Sequence, residues 1–313
     1  VSTTIFAQGE ANIWYFGYRA GLDFNSGSPV VLTDGQMNTF EGCATISNSN
    51  GQLLFYTDGV NVWDRNHTIM PNGTGLLGHS SSSQASVIVP KPNSSTIYYV
   101  FTSTDLANYD GVNYSEVDLS LNGGLGDVTA NKNISILTPA CEKITVVKHG
   151  NDIDYWVVIH GYGNNYFLAY KITSTGINLT PVVSNVGTFI DDNVNETVGY
   201  LKFSPDGTKL LNCSFFNNVE LFDFNNTTGI ISNPRLVCNK VANYGAEFSP
   251  SGNIAYLSTG DVNIFELIQY DLTASNIPST ATLLYLASNI NHQIGALQLA
   301  PDGKIYAPIF DES

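Results

Sequence analysis

Charged residues are scarce in this chain, and basic residues are the scarcest. Only 12% of the 313 residues are charged, with 12 Lys and Arg against 27 Asp and Glu, so the formal net charge is −15. A nucleic-acid-binding protein needs a basic face that displaces counterions from phosphates, and no cluster of Lys and Arg occurs here. The charge balance therefore excludes nucleic acid as a partner and disfavours anionic membrane surfaces. It suits a protein that stays soluble outside the cell and that could attract calcium.

Metal-binding cysteine pairs and long apolar runs are also missing. The four cysteines, at positions 43, 141, 213 and 238, include no C-x-x-C pair and have no neighbouring His, which argues against zinc. Cys213 and Cys238 could form a disulfide within one repeat, or all four could be buried thiols, and the sequence leaves both open. No apolar run approaches the roughly eighteen residues of a membrane-spanning helix, so we expect a protein that is not membrane-embedded.

A short hairpin pattern recurs along the chain: an apolar strand, a turn rich in Pro, Asp, Asn and Gly, and a second apolar strand. Its turn residues lie at positions 51, 93, 150, 207, 252 and 303, so successive copies are 42, 57, 57, 45 and 51 residues apart. These intervals bracket the period of propeller blades, and steps such as Asp206–Gly207 supply the positive φ angles of tight hairpins. The copies are CATISNSNGQLLFYT (43–57), SVIVPKPNSSTIYYVFT (86–102), ITVVKHGNDIDYWVVI (144–159), LKFSPDGTKLLNCSF (201–215), AEFSPSGNIAYLST (246–259) and LQLAPDGKIYAPIF (297–310).

Further strand candidates between the copies, such as VNVWD (60–64) and NVELFDF (218–224), complete four-stranded sheets. Abundant Tyr, Phe, Val, Ile and Thr favour strands, and abundant Asn and Gly favour turns. We therefore predict an all-β fold, a β-propeller of four-stranded blades, in preference to a β-sandwich, which would not repeat such a hairpin. Three N-terminal strand candidates, at 12–17, 21–24 and 29–32, exceed the two strands that the sixth copy lacks. This favours seven blades, with six or eight as alternatives.

The N-terminal third carries a more specific signature than the generic SPDG turns. It contains GEANIWYFG (9–17), GLDFNSGSPVVLTDGQMNTFEGCATIS (21–47), GQLLFYTDGVNVWDRNHTIMPNGTGLLG (51–78) and VPKP (89–92). These runs resemble the N-terminal propeller of large surface proteins of gliding bacteria that use the type IX secretion system. Those proteins often end in a gliding-motility-associated C-terminal sorting domain. The resemblance implies secretion, with the outer-membrane secretion machinery as a partner, and it implies no ligand and no catalytic residue.

Two regions follow from these observations. Residues 1–8 (VSTTIFAQ) resemble the end of a signal peptide or a disordered start, because small Ala7 precedes a candidate cleavage site. Residues 9–313 are predicted to form the propeller, with its last blade incomplete. We expect an extracellular or outer cell-surface location after periplasmic transit, and a gene that continues past Ser313 into a β-sandwich sorting domain.

Residues just before each first strand should surround one end of the central channel. They are Glu41, Gln84, Glu142, Val198, Tyr244 and Ile294. We take Glu41, Gln84, Glu142 and Tyr244 as candidate binding residues. The two glutamates could instead be the carboxylate pair of a glycosidase, or they could simply bind rim backbone and water. A clustered, partly buried carboxylate pair would favour an enzyme, and an aromatic-rich face would favour a binding protein.

Other motifs predict neither a catalytic nor a metal site. The five histidines show no i, i+2 or i, i+4 pairing, His160 is expected to end a strand, and no G-x-S-x-G element occurs. DDNVNE (191–196) concentrates oxygen ligands that calcium prefers but lacks EF-hand spacing, so we expect no cofactor, with calcium as the exception considered. We predict a non-enzymatic binding or display module for an unknown protein or glycan ligand, linked to gliding or adhesion. The alternative is a glycan hydrolase or lactonase with its site at the channel mouth.

Overall fold

The chain is built from β-strands and short connections. The computed structural model describes residues 9–191, 193–261, 264–287 and 292–311. The predicted start, residues 1–8, lies outside them. Within the described ranges the only helical elements are three single-turn 3-10 helices, at Asn122–Gly124, Val194–Thr197 and Ile277–Thr280. No helix in this part of the chain is long and apolar enough to cross a membrane. The all-β prediction is confirmed.

Antiparallel strands form six sheets of three to five strands, which we number as blades 1 to 6 in chain order. Blades 1 to 3 contain β1 (Ile13–Phe16), β2 (Ala20–Asp23), β3 (Val30–Leu32); β4 (Ala44–Ser47), β5 (Leu53–Thr57), β6 (Asn61–Asp64), β7 (Ile69–Thr74); and β8 (Ser86–Pro90), β9 (Ile97–Ser103), β10 (Val112–Asp118), β11 (Asp127–Val128), β12 (Ile134–Leu137). Blades 4 to 6 contain β13 (Ala140–Lys148), β14 (Tyr155–Gly161), β15 (Tyr166–Thr173), β16 (Gly176–Ile177), β17 (Val182–Asn185); β18 (Leu201–Phe203), β19 (Lys209–Asn212), β20 (Val219–Asn225), β21 (Ile230–Cys238); and β22 (Ala246–Phe248), β23 (Ile254–Asp261), β24 (Ile264–Asp271), β25 (Thr282–Leu286).

Four short strands follow blade 6. Strand β26 (His292–Ile294) pairs with β29 (Ile309–Asp311), and β27 (Gln298–Leu299) pairs with β28 (Ile305–Tyr306). The Tyr306 ring on β28 lies edge-on to the rings of Trp14 and Phe24 from the blade 1 segment, so this hairpin contacts the start of the ring. Over the described residues the structure therefore has six blades and two strand pairs, and the preferred count of seven blades is not confirmed.

The blades are arranged radially. The first strand of each blade contacts the first strand of the next, from β1 and β4 through β22, and β22 contacts β27. Each pair of neighbouring blades encloses its own apolar core. Phe55 and Val62 of blade 2, for example, pack with Val100 and Val117 of blade 3. Each such fully buried side chain contributes about 1.5–3 kcal/mol. Face-packed sheets of a sandwich would give one shared core, so the propeller prediction is confirmed.

The predicted hairpin turns form where the repeats place them. The turn residues Gly51, Asn93, Gly207, Gly252 and Gly303 all have φ between 60° and 78°. These residue types tolerate the left-handed conformation that reverses the chain between first and second strands. In the remaining copy the left-handed residue is Asp152, with φ 58°, two positions after the expected one.

One end of the propeller collects the loops that carry the candidate site. Because strands alternate in direction within a blade, the loops before the first strands of blades 2 to 6 lie at the same end as the loops joining their second to third strands. In blade 1 the strand β1 runs antiparallel to β4, so the β1–β2 loop, which bridges to the segment before β4 through Tyr18 and Asn38, lies at this end as well. We call this end the upper face. Contacts across the ring agree with this placement, because the Tyr244 hydroxyl, just before β22, donates to Glu41, just before β4, at 2.9 Å.

Candidate functional site at the upper face

Glu41 and Tyr244 meet at the mouth of the central channel, and both are half-buried. The Glu41 carboxylate accepts hydrogen bonds from the Tyr244 hydroxyl, at 2.9 Å, and from the Ser81 side chain. Burial raises the pKa of Glu41 to about 7; the Tyr244 hydrogen bond opposes this shift and the charge of Glu142 adds to it. The Tyr200 ring stands edge-on to the Tyr244 ring, with centroids 5.5 Å apart. The channel mouth thus contains a carboxyl group with a pKa near neutral pH, next to the phenol rings of Tyr244 and Tyr200.

Glu142 occupies a different environment, because its side chain is buried and only 1% of the residue surface is exposed. Its Oε2 accepts from the backbone N–H and the hydroxyl of Ser83, at 2.8 and 3.0 Å, and its Oε1 accepts from the Leu106 N–H at 2.7 Å. Burial raises the pKa of Glu142, and these three hydrogen bonds oppose the shift. Glu142, which lies inside β13 and not before it as expected, therefore holds the loop after β9 against the segment that precedes β8. With 1% of its surface exposed, it is not accessible to a substrate.

Gln84 connects three first strands. Its Oε1 accepts from the backbone N–H of Leu201, at 2.8 Å, and of Ile144, at 3.3 Å, and its Nε2 donates to the Leu201 carbonyl at 3.0 Å. Its own backbone N–H donates to the Glu142 carbonyl at 3.2 Å. The structure thus brings Glu41 to Tyr244 and Gln84 to Glu142, all at the upper face. Their role in binding a ligand stays a prediction.

Two buried polar side chains near this network were not predicted from sequence. Lys143 is fully buried, and its Nζ donates to the Glu196 carbonyl at 3.3 Å, to Asn212 Oδ1 at 3.3 Å and to Ser214 Oγ at 2.5 Å. Burial lowers the pKa of Lys143. No sequence signal would have found it, because a Lys inside a strand is ordinarily exposed, and its three partners come from another blade.

His160 is the second such residue, and it lies near the end of β14, as expected. Its Nδ1 donates to the Gly161 carbonyl at 2.7 Å, and its ring meets the Phe167 ring edge-on with centroids 4.5 Å apart. Its Nε2 is buried without a hydrogen-bond partner among the residues described. Burial lowers the pKa of His160 to about 3, and the charge of Lys143 lowers it further. The imidazole is therefore neutral in the folded protein and does not serve a surface site.

Strongly exposed aromatic side chains concentrate at the upper face. Phe40 is 68% exposed and Tyr18 57%, and their rings are edge-on with centroids 5.7 Å apart. Over the described residues, seven Phe and Tyr side chains are strongly exposed, and six of them lie in upper-face loops or at the upper end of a strand: Tyr18, Phe40, Tyr109, Tyr166, Phe189 and Phe216. The seventh, Tyr285, lies on the outer strand β25. The opposite end, over the same described residues, has none.

A groove of about 550 Å³ opens on the upper face between blades 3 and 4. It is lined by the loop after β9 (Asp105–Tyr109), Pro139, Tyr162 and Val194. This volume lies within the range of about 300–1,000 Å³ typical of small-ligand sites. The ring of Tyr109 at its border is 95% exposed, an unusual degree for a large aromatic side chain.

The cysteines form no disulfide, and the calcium site considered for the acidic segment stays untested. All four cysteines are free thiols. Cys213 directly follows β19, and Cys238 is the last residue of β21. Strand β20 lies between them, and two strand spacings of about 4.8 Å exceed the Cα separation of a disulfide, about 4.4–6.8 Å. In DDNVNE, Glu196 Oε2 accepts from the Asp191 N–H at 3.3 Å, and residue 192 lies outside the described residues. Over the described ranges, no three His, Cys, Asp or Glu side chains are grouped to hold a metal ion.

Comparison with known proteins identifies similar structures only. No protein-family model matches the chain, and no curated protein matches its sequence. Hydrazine synthase from Kuenenia stuttgartiensis matches 85% of this chain and 70% of its own, at 13% identity and a TM-score of 0.52. A functionally unknown protein from Desulfotomaculum acetoxidans DSM 771 matches with coverages of 96% and 86%, at 12% identity and a TM-score of 0.51. The Cps50 (Swd1) β-propeller domain from Myceliophteria thermophila matches with coverages of 94% and 91%, at 10% identity and a TM-score of 0.50. At such identities the likenesses show the fold alone, and that fold is the β-propeller.

Proposed function

We propose that this protein is a non-enzymatic binding module that takes its ligand on the upper face. The observation that carries the proposal is the uneven distribution of exposed aromatic rings, six of which lie at that end. Exposed Tyr and Phe side chains offer large contact areas with few rotatable bonds, so ordering them on binding costs little entropy. Exposed apolar surface does not stabilise the fold. A ligand that covers this surface removes it from water, and the hydrophobic effect then favours binding.

The proposal includes a setting outside the cell. The acidic surface, the scarcity of Lys and Arg, and the resemblance of residues 9–102 to propellers of type IX-exported surface proteins support it. A module displayed in this way would present the upper face to external polymers or proteins, in adhesion or gliding. Fractionation of a gliding bacterium that expresses the full gene would test the location: signal confined to the cytoplasm would remove this part of the proposal.

Binding through the upper face can be tested by biolayer interferometry. The immobilised chain is presented with neutral and anionic polysaccharides, mucin, collagen and fibrinogen. We expect at least one of these probes to bind. A triple variant, Phe40→Ser, Tyr109→Ser and Phe189→Ser, should lose that signal, whereas the matched control Tyr285→Ser should keep it. Equal binding by both variants, or binding by neither parent nor variants, would contradict the proposal.

Glu41 supports a second candidate, a hydrolase acting at the channel mouth. Its carboxyl group is half-buried, hydrogen-bonded to Tyr244, and has a pKa of about 7, the range suited to general acid–base catalysis near neutral pH. The predicted partner Glu142 does not complete a pair, because it is 1% exposed and both of its oxygens already accept hydrogen bonds from within the chain. Turnover on glycan, ester or lactone panels that disappears in Glu41→Gln would favour this candidate over the binding module.

A further inference from the structure

The groove beside Tyr109 combines apolar and hydrogen-bonding groups in one small area. Leu106, Pro139 and the rings of Tyr109 and Tyr162 supply apolar surface, and Asp105 and Asn108 on the same loop also line the groove. The Asp105 Oδ2 lies 3.4 Å from His79 Nδ1, and the carboxylate keeps further acceptor positions for a ligand because it has about four in all. Asn108 uses its side-chain oxygen on the Tyr109 N–H, at 2.6 Å, and no residue in the described ranges accepts from its amide nitrogen. The groove therefore offers ring faces together with one carboxylate acceptor and one amide donor.

The loop that carries these groups is held in one conformation. The Thr104 N–H donates to the Gly111 carbonyl at 3.0 Å, which closes the loop, and the Tyr109 carbonyl accepts from the Thr138 hydroxyl at 2.8 Å. Gly111 is required here, because it has φ 58° and a Cβ would lie 2.1 Å from the Leu137 carbonyl oxygen. A loop ordered before binding loses little entropy when a ligand arrives.

The backbone of this loop is also strained at its centre. Leu106 and Ala107 have φ values of 46° and 54°, a left-handed conformation that costs about 1–2 kcal/mol for each residue with a Cβ. The buried Glu142 carboxylate, which accepts from the Leu106 N–H at 2.7 Å, offsets this cost. Strain maintained by a dedicated buried hydrogen bond is typical of ligand clamps, and here it fixes Asp105 and Asn108 at the groove.

We propose that this groove binds a hexopyranose unit of an uncharged glycan. A pyranose ring presents a patch of C–H groups that stacks on an aromatic face, surrounded by hydroxyls that pair with carboxylate and amide groups. Tyr109 provides the stacking face, and Asp105 and Asn108 provide the hydroxyl partners. Sulfated and uronic acid polymers are disfavoured, because Asp105 lines the groove and the formal net charge is −15.

The proposal rests on the binding function proposed above and can fail separately from it. Binding of the purified chain is measured on immobilised mannan, galactomannan and mixed-linkage β-glucan, with alginate and dextran sulfate as anionic comparisons. We expect at least one neutral polymer to bind more strongly than both anionic ones. Tyr109→Ala and Asp105→Ala should each weaken that binding at least tenfold. Because the Tyr109 side chain is 95% exposed, its removal leaves the fold intact.

A control variant separates a groove site from a general effect of aromatic residues. Tyr285→Ala removes an exposed ring from β25, outside the groove, and should bind as the parent does. Neutral glycan binding that survives Tyr109→Ala, or a preference for the anionic polymers, would overturn the glycan proposal. A protein probe captured by the upper face without any glycan binding would overturn it too, while leaving the binding function in place. If no probe binds at all, both proposals are wrong.

Discussion

Lowering the pH should destabilise the fold through His160. The imidazole is fully buried, its Nε2 has no partner among the described residues, and its pKa is lowered to about 3. The unfolded chain has a His pKa of about 6.5. Between these values the unfolded state binds the extra proton, so this contribution to stability is complete above pH 6.5 and is lost as the pH falls. At pH 5 the linkage relation gives a loss of about 2 kcal/mol relative to pH 7.5.

Urea unfolding at pH 7.5, 6.0 and 5.0 measures this loss as a change in the free energy of unfolding. His160→Leu removes the titrating group at similar volume, so it should lower stability at pH 7.5 but reduce the loss between pH 7.5 and 5.0 by about 2 kcal/mol. The matched control, Phe167→Leu, alters the ring that packs on His160 without changing a titratable group, and it should keep the parent's pH dependence. The same pH dependence in His160→Leu and the parent would refute the reasoning.

Four other substitutions lie at or beneath the upper face, and the stability of each variant is measured by urea unfolding at pH 7.5. Gly42→Ala should lower the free energy of unfolding by about 2–3 kcal/mol, because its Cβ would lie 2.1 Å from the Ala85 backbone nitrogen. The control Gly163→Ala, at a position with open space and φ 70°, should lower it by only about 1 kcal/mol. Equal losses in the two variants would contradict the close approach at Gly42. Lys143→Met should cost at least about 2 kcal/mol, because it leaves buried acceptors unsatisfied; an unchanged stability would mean that they find other partners. Ala107→Gly should stabilise by about 0.5–1 kcal/mol by relieving its left-handed backbone, and a loss would show that the methyl group packs favourably.

The repeat made the fold predictable because its information is local. An SPDG turn fixes two strands within a few residues. At Gly207, for instance, the N–H donates to the Ser204 carbonyl at 2.8 Å, and φ is 66°. The number of blades could not be obtained in this way. The strands after residue 291 are only two or three residues long, and whether such strands join into one sheet depends on long-range packing.

The end of the propeller at which the candidate residues lie was predictable, and their environments were not. Counting back from each first strand placed Glu41 and Glu142 at the same end of the channel, where the structure also has them. Their environments differ because of loops from other parts of the chain. The loop carrying Leu106 covers Glu142, whereas Glu41 stays half-exposed beside Tyr244. Burial of this kind is set by tertiary contacts, so sequence alone could not separate a structural carboxylate from one available to a ligand.

The exposure of the aromatic residues shows the same limit. Tyr56 is fully buried and Tyr109 is 95% exposed, although both belong to the second-strand region of their repeats. Tyr56 lies inside β5, where it stacks on Trp63 with centroids 5.3 Å apart, while Tyr109 lies just beyond β9 in the upper-face loop. A ring inside the second strand thus packs in the core between blades, whereas a ring in the loop that follows the strand is exposed. The apolar pattern alone did not show on which side of that boundary each ring lies.

The polar network beneath the upper face connects that surface to the stability of the ring. Glu142 joins the groove loop to Ser83, the Ser83 hydroxyl accepts from the Gly199 N–H at 3.0 Å, and Gln84 bonds to Leu201. Four successive backbone segments, from blades 3, 4 and 5, thus share one set of buried hydrogen bonds. Each of these bonds is costly to break because the groups left behind are shielded from water. A ligand that engages the groove loop consequently acts on a surface supported by three blades, which explains how a short loop with two left-handed non-glycine residues stays in place.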